Sequence, residues 1–159
     1  MKPPPVTLSR RTLIQTGALL LMPAPALLLA QTRTALPLSA AINRAGKIRA
    51  LSQRSSKGYV QATLGVLPEK ARDIMLASQR VIAGNLEEMS ASAPPADIRK
   101  LLQQVEQDNA GLASLIAGTP AKATNMDVAK AADTVLEAAD RLTKAFEGLS
   151  QQAGARIVN

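Results

Sequence analysis

AAINRAGKIRALSQRSSKGY, residues 40–59, contains no proline and repeats its apolar residues at helical spacing, so it predicts one continuous helix. At 100° per residue the stretch divides into faces. Ala41, Ile48, Leu51, Ser55, Tyr59 and Ala62 fall on one arc and form an expected core stripe. Ile42, Ala45, Gly46, Arg49, Gln53 and Ser56 fall on a second, narrow arc of small or polar groups with an arginine at its centre. Arg44, Lys47, Arg54 and Lys57 occupy a third side, expected to be solvated. This is the most basic part of the chain beyond its leader: from residue 32 to 68 there are six Lys or Arg and no Asp or Glu.

The rest of the composition agrees with a helical protein. The 159 residues suit one domain, and the single Tyr and single Phe argue against a sandwich or barrel core and against base-stacking surfaces for nucleic acid. The absence of Cys and His excludes disulfides, zinc sites of the usual kind and Cys- or His-based catalysis. Lys2, Arg10 and Arg11 belong to the first thirty residues, which leaves sixteen basic against twelve acidic residues beyond them, a net charge of +4. So small an excess gives little support to nucleic-acid binding.

Residues 1–30 read as an export signal. Ser9-Arg10-Arg11-Thr12-Leu13-Ile14 precedes an uncharged apolar segment, 16–30, that is interrupted by Pro23 and Pro25 and is short for a membrane span. The arginine pair resembles a twin-arginine signal. Cleavage after Ala26 fits the small-x-small rule, and Ala30 is the other candidate. The expected location is periplasmic; the rival is an uncleaved N-terminal anchor.

Residues 31–37 are a linker, and four helices follow over 38–153. Helix 1 is expected over 38–66 with Ser39 as N-cap and Pro68 as its stop. Helix 2 should cover 69–91, with Ile74, Leu76, Ala77, Val81, Ile82, Leu86 and Met89 as its stripe. Pro94-Pro95 separates it from helix 3, 96–117, which Gly118-Thr119-Pro120 ends. Helix 4 should run over 124–152, opened by a capping box at Thr124-x-x-Asp127. Glu137–Arg141 and Asp140–Lys144 are expected helix-stabilising pairs on it. Four amphipathic helices with short connections predict an all-α, antiparallel up-down-up-down four-helix bundle. A core of Ala, Leu, Ile and Val is thin, so a homodimer is expected. Residues 154–159 form a tail.

Catalysis finds little to work with. No carboxylate pair is evident, Glu87-Glu88 reads as a solvated face, and no phosphate loop follows a strand. The chain is therefore read as a non-enzyme without cofactor or metal. Arg49 is the candidate instead. Its neighbours Ala45, Gly46, Gln53 and Ser56 would let another backbone approach, and a two-fold mate would bring two guanidiniums together. Uncompensated, that proximity is costly; a planar oxyanion between them makes a multidentate clamp.

Residues 41–54, AINRAGKIRALSQR, resemble the first-helix signature of the type IV pili methyl-accepting chemotaxis transducer N-terminal domain family, to which the periplasmic sensor domains of nitrate/nitrite-responsive histidine kinases are related. The pattern is I-N-x-A-G-x-x-R-M-x-S-x-R, with Ala50 standing in place of its methionine. The resemblance implies a four-helix sensor that dimerises through helix 1 and holds nitrate or nitrite with the arginine of its G-x-x-R step. Those positions are Gly46 and Arg49; Asn43 and Arg54 also match the motif. Family sensors continue into a second membrane span and a signalling domain. This sequence carries neither, so a signal is expected to pass to a separate signalling protein. Gly154–Asn159 also resembles the lead-in to a second copy of the signature, and an ordinary frayed end is the alternative. The rival functional reading is a structural or protein-interaction bundle, docking on an acidic partner through Arg44, Lys47, Arg54 and Lys57. Association with a membrane surface through the same helix is a third, which the missing aromatic anchors count against.

Overall fold

A computed structural model describes residues 36–92 and 94–157, with side-chain surroundings as far as residue 154. The export signal, most of the linker and Val158-Asn159 lie outside the described residues. Within them the protein is all-helical, with no strand: α1 is Leu38–Thr63, α2 Pro68–Ala91, α3 Ala96–Ile116 and α4 Asn125–Ile157, and a 3-10 turn, Lys122–Thr124, precedes α4.

Proline sets the breaks. Pro37 precedes α1, and its carbonyl accepts the Ala41 N–H at 3.0 Å, so the N-cap position is Pro37 rather than the expected Ser39. α1 ends three residues before its expected limit, because Gly65 (φ +72°) and Leu67 (φ +47°) turn the chain through left-handed conformations before Pro68 opens α2. Leu67 carries a side chain in that region, a local strain on the order of 1–3 kcal/mol. α3 stops at Ala117 in a right-handed conformation, so Gly118 does not serve as a left-handed cap. α4 begins one residue late because Thr124 is engaged in the preceding turn. α4 also continues through Gly154 to Ile157, across the expected boundary between bundle and tail.

The core is built from aliphatic side chains. Ile48, Ile82, Leu102, Leu112, Val128, Val135 and Leu142 are buried within it, each contributing about 1.5–3 kcal/mol. α1 packs against both α4 and α2, α3 packs against α4, and α2 meets α3 only weakly. Small residues allow α1 its two close neighbours. Ala45, Ser52 and Ser55 are fully buried, and Gly58 lies so near α2 that an added Cβ would stand 2.9 Å from the Ala71 carbonyl oxygen. The stripe on α2 departs from expectation. Ala71, Met75, Ser78, Ile82, Leu86 and Met89 are buried, whereas Leu76, Ala77 and Val81 are exposed and Ile74 is half-buried.

Hydrogen bonds tie α1 to the α3–α4 connection. Tyr59 is 1% exposed, and its hydroxyl oxygen accepts the Ala121 N–H at 3.1 Å. The Thr124 hydroxyl donates to the Ala121 carbonyl at 2.9 Å, so the Tyr59 hydroxyl proton goes to Thr124. That use of Thr124 displaces the expected capping box. One turn on, the Asn125 amide donates to the Thr63 hydroxyl at 3.0 Å.

Candidate functional site on the first helix

Burial on α1 is wider than a single stripe, and this fixes where each candidate residue stands. Gripped by α2 on one side and α4 on the other, the helix buries Ala41, Ala45, Ile48, Ser52, Ser55, Ser56 and Tyr59. Ala45 and Ser56, expected on an arc open to another chain, are thus used inside this one. Ser52 and Ser55 are tolerated there because they find partners: Ser52 donates to the Arg49 carbonyl at 3.0 Å, and Ser55 accepts the Gln79 amide at 3.2 Å.

Asn43, Gly46 and Arg49 follow one another at three-residue spacing, so Gly46 neighbours each of the other two, while Asn43 stands about 120° around the helix from Arg49. Asn43 is exposed, Gly46 is half-buried, and no atom lies within 4 Å of where a Cβ on Gly46 would stand. The Arg49 side chain is 43% exposed, and its Nη1 lies 3.1 Å from Oδ1 of Asp140 on α4. Asp140 is shared, its Oδ2 accepting Lys144 Nζ at 2.7 Å, the expected pair. The hydrogen bond from Lys144 holds the Asp140 carboxyl below its ordinary 3.8; partial burial opposes this, and the charges of Lys144, Arg49 and Arg141 add to it. One turn beyond Arg49, the Gln53 amide donates to Asp133 of α4 at 2.9 Å. The face carrying Arg49 is therefore a polar seam between α1 and α4, open to solvent on its outer edge.

Arg54 stands elsewhere. It is exposed and lines a groove between α1 and α2 with Leu51, Asp73, Ile74, Ala77 and Val81, so the four candidates do not converge on one centre. Arg44 is not simply solvated, as expected, but ion-paired. Its Nε donates to Oε2 of Glu88 at 2.6 Å and Nη2 contacts the same oxygen, so Glu88 is no mere solvated acid. The sequence reading missed Asp133 and Asp140 as partners of α1. The available signal was their seven-residue spacing on one face of α4, set against the four-residue spacing of Arg49 and Gln53 on α1.

The described residues hold no group of three or more acidic residues placed to bind a metal, and no helix among them is long and apolar enough to cross a membrane. A recess of about 450 Å3 is lined by Leu38, Ala41, Pro94, Phe146 and Leu149 among others and carries no charged residue. No known protein family, curated protein or solved structure matches this chain.

Proposed function

We propose that the chain is an exported, periplasmic sensor module, an antiparallel up-down-up-down four-helix bundle that recognises a small oxyanion across a helix 1 dimer interface and hands the signal to a separate protein. Nitrate or nitrite is the proposed ligand. The topology is supported by pairs that join the start of one helix to the end of another: Arg44 with Glu88, and Thr63 with Asn125. The ligand reading rests on one observation. Arg49 is a half-open guanidinium held by a single carboxylate contact, with the open flank of Gly46 one turn away. Two such faces related by a two-fold axis would offer several N–H donors to one planar anion, the geometry a guanidinium suits best. Asp140 competes for the same donors, so an incoming anion works against that carboxylate.

Thermal melts with nitrate, nitrite, sulfate and chloride test the proposal. At a hundredfold excess over its dissociation constant, the selected anion should add about 2.7 kcal/mol of stability. The gain should vanish in Arg49→Ala and be reached at lower anion concentration in Asp140→Asn, where the competing charge is gone. No selective shift, or an equal shift in Arg49→Ala, would sink the reading.

A further inference from the structure

The split stripe on α2 leaves an apolar strip that the core does not use. Ile74, Ala77 and Val81 recur three and four residues apart along the outer edge of α2, and Val81 is 48% exposed. With Leu51 of α1 they floor a groove of about 320 Å3. Ile74 is shared with a second hollow that reaches Val66, Leu67 and Lys70, so the strip continues to the α1–α2 turn. From Leu67 to Val81 it extends roughly 21 Å, the length of a four-turn helix.

The charges say what fits. Arg54 and Lys70 line the strip against one acid, Asp73, while on α1 Lys47 stands exposed one turn before Leu51 and Lys57 one turn after Arg54. A second copy laid into the groove would set these cations against their own kind, which disfavours self-association here. A bilayer is flat, whereas this floor is recessed between two helices. An amphipathic helix with aliphatic anchors at i, i+3 or i+4 and i+7, and acids on its flanks, matches both the concavity and the charge.

We infer that the α1–α2 groove is a docking site for an acidic amphipathic helix of a partner protein, its apolar anchors seated between Leu51 and Val81 and its acids facing Arg54, Lys47 and Lys70. Arg44 takes no part, because Glu88 already engages it. The inference stands apart from anion recognition at Arg49, which lies at the α1–α4 seam.

The probe is a fluorescein-labelled peptide of about 18 residues, with leucines on one helical face and glutamates on both flanks. A second peptide carries lysines in place of the glutamates. The full chain should bind the acidic peptide, with amide shifts confined to the groove, and should ignore the lysine peptide. Val81→Glu and Arg54→Glu should each weaken binding about tenfold or more, while charge reversal at Arg99 on α3 should leave it unchanged. All variants alter exposed side chains, and circular dichroism checks that each is folded. Three results would overturn the inference: no groove shifts with the acidic peptide; a concentration-dependent dimer that Val81→Glu dissolves, which would assign the groove to a second copy; or co-sedimentation with anionic vesicles that Val81→Glu abolishes, which would assign it to a membrane.

Discussion

Gly58 and Gly46 sit on the same helix and answer to opposite constraints. A Cβ on Gly58 would press against the Ala71 carbonyl at 2.9 Å and the Met75 Cβ at 3.3 Å, and neither can withdraw without moving α2. A Cβ on Gly46 meets nothing within 4 Å. Removing a helical glycine gains about 0.5–1 kcal/mol, and overpacking costs roughly 1–3 kcal/mol. Chemical denaturation should therefore find Gly58→Ala destabilised by about 1–2 kcal/mol and Gly46→Ala stabilised by about 0.5–1 kcal/mol. Gly46→Ala also bears on the proposed dimer: a methyl there should blunt any anion-induced gain while leaving the isolated bundle sound. From sequence, Gly58 reads only as a weak point in the last turns of α1. Its close approach to Ala71 depends on how α2 returns beside α1, which no local pattern encodes.

At the level of the helices, the four segments were legible because proline or glycine punctuates each junction and helical periodicity fills the intervals. The register between helices was not. The α2 sequence offers two overlapping stripes, one through Ile74, Ala77 and Val81 and one through Met75, Ser78, Ile82 and Met89. Only packing against α1 decides that the second turns inward. Ser78 belongs inside despite its hydroxyl because it donates to the Ile74 carbonyl at 2.7 Å. For the same reason the pairing of Arg44 with Glu88 across helices could not be read in advance. α2 and α3 make the weakest pairing of adjacent helices. Four buried polar atoms without a hydrogen-bond partner lie on these two helices: Gln79 Oε1, Asn85 Nδ2, Asp108 Oδ2 and Asn109 Oδ1. Native-state hydrogen exchange should accordingly show the middle of α2 and α3 opening at lower free energy than the facing stretches of α1 and α4. Uniform protection across all four helices would contradict this.

For the molecule as a whole, acid is the revealing perturbation. A carboxyl whose folded pKa is lowered favours folding above its ordinary value, and that contribution disappears as pH falls through the lowered one. For Asp140 the window opens just below 3.8 and extends downward. Protonation there also releases Arg49 and Lys144 within a chain that already carries a cationic excess. The stability of Asp140→Asn should therefore fall less steeply than wild type on acidification below that point, with the two curves running parallel near neutrality. Such titrations need no added label. Tyr59 is the single tyrosine, there is no tryptophan, and its hydroxyl is locked between Ala121 and Thr124 at the junction of α1 with the α3–α4 connection. Near-ultraviolet absorbance and intrinsic fluorescence thus arise almost wholly from one phenol at one joint. The chain carries its own optical gauge, and its signal changes when that joint comes apart.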